Sequence, residues 1–384
     1  MTDHRPAVTL SANTSWYLSN FRASTLRALV AEGYRVVCLS PPDDYSARLP
    51  SLGCEWRPLP MDNAGTHPGR DLALLLRLWR HYRALRPVVA FHFTIKNNVY
   101  GTWAACALGI PAVNNVSGLG TAFIRPGPVA ALVRALYRLS QPLAHRVFCQ
   151  NAEDFELLQA RRLVPAQRLA LLPGSGVDLQ RFHPRLREPF RARPPGAPLR
   201  LLYAGRMLAD KGLHELMEAV GRVNAHGVRC ELSLCGFAGA ENVSAIGEAV
   251  LQQWAQRPGI RWLGPSDDMP SVYARADAVV LPSYREGMPR SLLEAAAMGL
   301  PAVATDVPGC RHIVRDRENG LLCEARNTDS LAAALERLLA MTDAEREAMG
   351  AAGRARVEAE FDERRVVEAA VGVVREVVRS AGRL

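Results

Sequence analysis

The chain predicts an α/β protein built as two Rossmann-like, doubly wound parallel-sheet domains. Three observations carry that expectation. The first half alternates short apolar runs of strand length with amphipathic stretches of helix length, joined by short connections, the mark of βαβ units. A second alternating series begins after a Pro- and Arg-rich stretch, His183-Pro-Arg-Leu-Arg-Glu-Pro-Phe-Arg-Ala-Arg-Pro-Pro-Gly-Ala-Pro198. The length of 384 residues, with 48% hydrophobic and 22% charged residues, suits two globular domains, each with its own core.

In order, residues 7–10 read as a strand, 21–32 as a helix and 35–39 as the next strand. Residues 71–85 are helical, 88–93 a buried strand and 112–116 another. The second series runs through strand 199–204, helix 213–226, strands 230–235, 260–263 and 278–281, helix 289–298 and strand 302–305. Residues 362–384 carry Val366, Val367, Ala370, Val374 and Val377 at helical spacing. The expected domains are therefore 1–182 and 199–361, with 183–198 as linker and 362–384 as a terminal helix. In two doubly wound domains the carboxyl ends of the strands face a cleft between them, where an open α/β sheet binds its ligand.

Composition narrows the classes. No run of 18 apolar residues spans a membrane, and the N-terminus lacks a signal-peptide apolar core. Eight scattered Cys without CxxC spacing read as reduced thiols of a cytosolic protein. Residues 1–195 hold 24 basic and 12 acidic side chains, a net +12, while residues 196–384 hold 23 and 26, a net −3. Within 63–150 there are ten cations and one anion, Asp71. The N-terminal half is thus expected to meet something anionic. No nucleic-acid-binding motif is present, so nucleic acid is not expected. An anionic membrane leaflet, or a diphosphate acceptor lying in one, fits better, each clustered cation contributing on the order of 1 kcal/mol at such a surface. The basic amphipathic segment 125–146 is a candidate for that contact.

The most informative segment is Tyr284-Arg-Glu-Gly-Met-Pro-Arg-Ser-Leu-Leu-Glu294-Ala-Ala-Ala-Met-Gly-Leu-Pro301. Pro289 suits a first helical position, Leu292, Leu293, Ala296 and Ala297 form an apolar face, and Gly299 with Pro301 ends the helix. Glu286 then sits on the loop and Glu294 inside the helix. Between them the uncapped first-turn N–H groups form an anion site. A phosphate flanked by two sugar rings fits this arrangement, as in a nucleotide-sugar.

Of the 47 Lys and Arg residues only Lys96 and Lys211 are lysine. Lys211 lies in Leu201-Leu-Tyr-Ala-Gly-Arg206-Met-Leu-Ala-Asp-Lys211-Gly212, a strand, a cationic loop and a helix start. Arg206 and Lys211 are therefore assigned to the departing diphosphate, with Gly287, Met288, Pro289 and Arg290 assisting. No Asp-x-Asp occurs in the chain, so no metal is expected and the two cations take its place.

Gly205-Arg206…Lys211-Gly212 together with Glu286-x7-Glu294 resembles the retaining nucleotide-sugar glycosyltransferases of family 4, which have the two-domain GT-B fold. The similarity extends to Pro173-Gly-Ser-Gly-Val-Asp178, Asp306-Val-Pro-Gly-Cys310-Arg311 and Gly320-Leu-Leu, and covers nearly the whole chain. Thr94-Ile-Lys96-Asn-Asn-Val-Tyr-Gly101 and Asn115-Val-Ser-Gly-Leu-Gly120 resemble a subgroup that builds polyprenyl-diphosphate-linked surface glycans. The resemblance implies that Glu294 holds the ribose hydroxyls and Glu286 those of the donor sugar, and that the terminal helix packs back on the N-terminal domain. It also implies retention of configuration by attack on the leaving-group face, with no protein nucleophile.

The chain departs from the family at three places. A Gly-Gly pair common after the first strand is absent, and Asn13, Ser15 and Arg22 of that loop are expected to contact the acceptor instead. Where relatives carry a His after the strand at 112–116, this chain has Ser117, and contact with the donor is expected from Ser117 or from the amides of 118–120, Gly118 also meeting the acceptor. His312 replaces a frequent Glu and reads as structural. Lys96 and Asn97 are expected at the acceptor diphosphate. His92 reads equally as a cleft residue or a core histidine.

The function expected is transfer of a sugar, N-acetylhexosamine or hexose, from a UDP-sugar to an undecaprenyl-diphosphate-linked glycan. It would be carried out without a cofactor, in the cytoplasm, at the inner face of the membrane. A sugar phosphorylase or nucleotide-sugar epimerase of the same fold, or a transferase with a soluble acceptor, is the alternative. A silent binding module is disfavoured by the intact Arg206, Lys211, Glu286 and Glu294. An oxidoreductase is disfavoured because no G-x-G-x-x-G follows the first strand.

Overall fold

A computed structural model describes residues 4–62, 67–118, 127–194, 196–239 and 244–382. They form two compact units, one of Met1–Ser175 with Glu363–Leu384, the other of Gly176–Asp362.

The first unit contains β1 (Ala7–Ser11), α1 (Ser15–Phe21), α2 (Ala23–Ala31), β2 (Arg35–Ser40), β3 (Glu55–Pro58), α3 (Pro68–Leu85), β4 (Val89–Phe93), α4 (Thr102–Cys106), β5 (Ala112–Val116), α5 (Pro128–Ser140), β6 (Arg146–Cys149), α6 (Ala152–Ala160) and β7 (Leu169–Leu171). The second contains β8 (Leu199–Ala204), α7 (Leu213–Val223), β9 (Cys230–Cys235), α8 (Glu248–Ala255), β10 (Ile260–Gly264), α9 (Met269–Ala274), β11 (Ala278–Leu281), α10 (Arg290–Ala297), β12 (Ala302–Thr305), α11 (Pro308–Ile313), β13 (Gly320–Cys323), α12 (Thr328–Ala340) and α13 (Asp343–Glu360). The chain then returns to the first unit as α14 (Glu363–Ser380).

The sheets run β3-β2-β1-β4-β5-β6-β7 and β10-β9-β8-β11-β12-β13. Every strand pairing is parallel, for example Val8 with Val36 and Val89, and Val279 with Leu202 and Ala302. In each sheet the order reverses direction at the first strand of its series, β1 or β8, the switch point at which such sheets bind ligands. β1, β4, β5, β11 and β12 are buried throughout, as their near-continuous apolar runs require.

Two boundaries differ from expectation. The stretch 183–198 is no free linker. Pro184–Phe190 forms a 3₁₀ helix inside the second unit, Phe182 packs against Tyr273 with ring centroids 6.0 Å apart, and Arg187 is buried, donating to the Gly299 carbonyl at 2.7 Å. The chain passes between units at Ser175 and Asp362, where Val177 bridges to Asp362. In α14, Val366, Ala370, Val374 and Val377 are buried in one cluster with Leu26, Leu29 and Val8, and Arg375 pairs with Glu32 at 2.7 Å. The helix α14 therefore folds with the first sheet, as its apolar face requires.

Candidate active site

The carboxyl ends of β8 and β11, neighbours in the second sheet, bring together the two motifs expected on the donor side. Lys211 ends a 3₁₀ turn (Ala209–Lys211), and Gly212 opens α7 at φ +70°. A Cβ at Gly212 would lie 2.0 Å from the Pro282 carbonyl oxygen, so only glycine lets the two loops touch. Tyr284 N–H donates to the Asp210 carbonyl at 3.0 Å, and the Tyr284 hydroxyl donates to Glu215 at 2.6 Å. Across this seam Lys211 Nζ donates to Glu286 Oε1, which also accepts from Ser283 Oγ at 2.6 Å. The Lys211 and Glu286 side chains are 18% and 11% exposed, so the pair is shielded and still reachable.

The 286–287 backbone rests on the N-terminus of α11. A Cβ at Gly309 would lie 2.6 Å from the Gly287 carbonyl oxygen, which explains the glycine of Asp306-Val-Pro-Gly309. Pro289 is the N-cap of α10, not its first residue. Its ψ of 111° is extended, while its carbonyl already accepts from Leu292 at 3.1 Å. It offers no side-chain acceptor to the first turn. One turn on, Arg290 and Glu294 form an i,i+4 ion pair at 2.8 Å, with side chains 14% and 12% exposed. That carboxylate is the anion an arginine at a helix N-terminus needs. Behind it Tyr273 is fully buried, and burial, then the Glu294 charge, push its hydroxyl well up. Arg206 follows β8 with an exposed side chain that makes no ion pair among the described residues. Its carbonyl accepts from Tyr203 at 2.8 Å. Met288 packs partly buried against the core.

The first unit has a pocket of about 300 Å³, whose lining includes Asn13, Lys96, Asn98, Ser117 and Gly118 at the carboxyl ends of β1, β4 and β5, and Tyr137 of α5. Lys96 Nζ donates to Asp71 of α3 at 2.8 Å, and the Tyr100 hydroxyl donates to the other Asp71 oxygen at 3.0 Å. Thr94, also in the wall, has φ +75°, an outlier for a β-branched residue that costs about 1–3 kcal/mol. It leads into a π-turn, Asn97–Gly101, a form frequent at functional sites.

Not every expected acceptor residue reaches this pocket. Ser15 is fully buried, bonded to Ser40 at 2.7 Å and Ser46 at 2.8 Å, and holds the turn after β1 together. Asn97 is buried against Thr94 and Met61, one residue behind the wall. Arg22 is 2% exposed, stacked 4.5 Å from the Phe93 ring centroid, and donates to the Tyr17 hydroxyl at 2.9 Å. Tyr17 in turn bonds Ser117 at 3.2 Å, so Arg22 acts on the pocket through Tyr17. Gly120 and residues 125–126 lie outside the described residues, and Ser117 and Gly118 carry what is left of that loop's expectation. His92 is a core histidine. It bonds Tyr82 at 2.9 Å and Asn114 at 2.8 Å, and burial lowers its pKa to about 4. Asp71, Tyr17, Thr94, Ser283 and Gly309 were missed. Only Asp71, the one acid among ten cations, left a signal in the composition.

Two parallel-sheet units with ligand groups at their strand ends define the GT-B class of glycosyltransferase fold. Solved structures agree: sucrose-phosphate synthase of Thermosynechococcus elongatus has TM-score 0.78 at 19% identity, covering 98% of this chain and 100% of that one. HepE of Anabaena in complex with UDP and glucose has TM-score 0.76 at 16% identity, covering 99% and 100%. Residues 19–175 match the glycosyl transferase 4-like domain model, and residues 198–341 match the glycosyl transferases group 1 model. The chain belongs to these glycosyltransferases. It is 28% identical over 332 residues to the N,N'-diacetylbacillosaminyl-diphospho-undecaprenol alpha-1,3-N-acetylgalactosaminyltransferase of Campylobacter jejuni, covering 83% of this chain and 86% of the relative. It is 23% identical over 274 residues to the UDP-Gal:alpha-D-GlcNAc-diphosphoundecaprenol alpha-1,3-galactosyltransferase of Escherichia coli, covering 70% of each.

Proposed function

We propose that this glycosyltransferase moves an N-acetylhexosamine or hexose from a UDP-sugar to an undecaprenyl-diphosphate-linked glycan during bacterial surface polysaccharide or glycoprotein glycan assembly, retaining anomeric configuration. The observation that carries the donor half is the shielded Lys211–Glu286 pair beside the N-terminus of α10. The names of the two relatives, both acting on diphospho-undecaprenol-linked sugars, support the acceptor half.

In this reading Arg206, Lys211 and the first-turn amides of α10 stabilise the charge that develops on the departing UDP. Lys211 binds a donor phosphate while still donating to Glu286, whose second oxygen accepts from a donor-sugar hydroxyl. Glu294, steadied by Arg290, accepts from the ribose hydroxyls. The acceptor hydroxyl attacks the anomeric carbon on the face that UDP leaves. Its proton passes to the departing phosphate oxygen, so no protein nucleophile and no metal takes part. In the first unit Lys96, Asn13 and Gly118 receive the acceptor, with Ser117 held by Tyr17. The acceptor's diphosphate competes with Asp71 for Lys96, which makes lysine, a compact point charge, suitable here.

The acceptor's lipid places the reaction at a membrane surface. No described helix is long and apolar enough to cross one. Instead α5, which lines the pocket through Tyr137, and α3, whose Asp71 holds the pocket's Lys96, expose Leu72, Leu76, Leu132 and Leu139 among Arg70, Arg77, Arg80 and Arg138. Such faces suit peripheral contact with an anionic inner leaflet.

The test is UDP release from a panel of UDP-sugars, with and without an undecaprenyl-diphosphate-sugar acceptor. Release that needs the lipid and favours one donor supports the reading and names the sugar. No turnover of any UDP-sugar with any lipid overturns the donor base or the acceptor class. Activity undiminished by EDTA is expected, and loss reversed by a divalent ion would overturn the metal-free scheme.

A further inference from the structure

Among the described residues Arg22 is the largest fully buried side chain, and no carboxylate pairs with it. Its guanidinium carbon lies 4.5 Å from the Phe93 ring centroid and 5.5 Å from that of Tyr17. One terminal nitrogen donates to the Tyr17 hydroxyl at 2.9 Å, and Nε has no partner. A buried charge without a counter-ion is costly, and a tertiary fold rarely keeps one idle. The acids around the nearby pocket are committed to other cations. Asp71 holds Lys96 and Asp62 holds Arg70, both at 2.8 Å. The charge of Arg22 is therefore passed on only through Tyr17.

The direction of the chain follows from what each group can donate. A guanidinium only donates, so the Tyr17 oxygen accepts from Arg22 and keeps its own proton to give. Ser117 Oγ, 3.2 Å away, receives that proton. If Ser117 donated instead, the Tyr17 proton would have no acceptor among the described residues, the costlier arrangement for a half-buried hydroxyl. Gln150 Nε2 donates to Asn115 Oδ1 at 3.1 Å and more weakly to Ser117 Oγ at 3.5 Å. Two donors thus point at the Ser117 oxygen, and its own O–H is left for the pocket that Ser117 lines with Lys96. A chain running from a cation through a phenol to a serine polarises each O–H in turn. Ser117 is a donor into the pocket, strengthened by a charge it does not carry.

We propose that Ser117 donates to a phosphate oxygen of the acceptor's diphosphate, with Tyr17 and Arg22 as the residues that position and polarise it. The inference rests on the reading of this pocket as the acceptor site. A charged oxygen that only accepts gains most from a fixed, charge-assisted donor. A sugar hydroxyl gains less, because half of its hydrogen-bonding capacity is a proton that this serine is not free to accept. Lys96 supplies point charge to the diphosphate and Ser117 supplies direction. Loss of the chain should raise the acceptor KM and leave kcat and the donor KM near their wild-type values.

The experiment measures binding of undecaprenyl diphosphate, undecaprenol and UDP, in detergent, to the full chain and to its Ser117→Ala, Ser117→Thr and Tyr17→Phe variants. Tyr17→Phe keeps the ring contacts with Phe21 and Phe93, whose centroids lie 5.1 and 5.6 Å away. Ser117→Ala and Tyr17→Phe should each weaken undecaprenyl diphosphate about tenfold, the scale of one hydrogen bond to a charged group. Undecaprenol and UDP should bind as to the wild type, and Ser117→Thr, which keeps the hydroxyl, should retain diphosphate affinity. The Tyr17→Phe/Ser117→Ala double variant should bind no more weakly than Ser117→Ala alone, since Tyr17 acts through Ser117. A Tyr17→Phe affinity within twofold of wild type, or a double variant showing the product of the two single losses, overturns the relay and leaves the proposed function intact. A wild-type chain that binds undecaprenol as tightly as undecaprenyl diphosphate removes the acceptor-pocket reading, and the relay with it.

Discussion

Lys211 and Glu286 show why a motif can be legible when its geometry is not. Each stands in a short motif, but their direct contact depends on two loops 75 residues apart. If Lys211 carries transition-state charge and Glu286 orients the donor sugar, Lys211→Ala and Glu286→Gln should each lower turnover by at least about a hundredfold, as loss of one such contact does elsewhere. Initial rates of UDP release measure this; near-normal turnover in both variants would remove the pair from the site. His92 makes a different prediction. The Asn114 amide nitrogen donates to Thr102 at 2.8 Å and to Gln141 at 2.9 Å, so its oxygen faces His92 and accepts from Nδ1–H. Nε2 then accepts from Tyr82, and the ring is neutral. With its pKa lowered to about 4 by burial, against about 6.5 when unfolded, His92 contributes fully above pH 6.5. Between 6.5 and 4 the unfolded chain takes a proton that the folded one refuses, a loss of up to roughly 3 kcal/mol. Urea midpoints from pH 7 to 4.5 should fall less steeply in His92→Gln than in the wild type, and equal slopes would exclude this role.

Among the elements, α10 presents its first turn to the site and is held at its other end. Arg354 of α13 donates to the carbonyls of Ala297 at 2.7 Å and Phe182 at 2.8 Å, and Arg187 donates to that of Gly299 at 2.7 Å. Two guanidiniums thus satisfy C-terminal carbonyls and complement the negative end of the helix dipole. Arg354→Met should cost about 1–3 kcal/mol of stability, the penalty of orphaned buried acceptors, with Arg354→Lys partly restoring it in denaturant unfolding. An unchanged midpoint for Arg354→Met would show that α10 needs no such clamp. The periodicity of residues 289–298 reveals the helix itself, because apolar spacing is a local property. The clamp was illegible, since Arg187 sits in a Pro- and Arg-rich run whose composition reads as linker. It takes the tertiary fold to bury that guanidinium against a carbonyl 112 positions away.

At the level of the whole molecule, charge and exposure point the same way. The net +12 of residues 1–195 and the leucines exposed on α3 and α5 belong to the first unit. Sedimentation with anionic vesicles should be strong at low salt, fall as salt rises, and drop several-fold in a Leu132→Ser/Leu139→Ser variant. Equal binding to neutral vesicles would exclude an electrostatic contribution. The sequence alone determined the long buried strands of both series, because period and turn chemistry are local, while the short strands β3, β6, β7 and β13 carried too little pattern to be read. It also marked the two motifs proposed for the donor, because Arg206 to Gly212 and Glu286 to Glu294 each lie within one strand-loop-helix passage. Only the tertiary structure decided that Lys96 meets Asp71, that Arg22 works through Tyr17 on Ser117, that Ser15 is hidden, and that Gly309 makes room for Glu286. Those contacts join residues remote in the chain, and what brings them together is the order of strands in the sheets and the few positions where backbones pass too closely for a side chain.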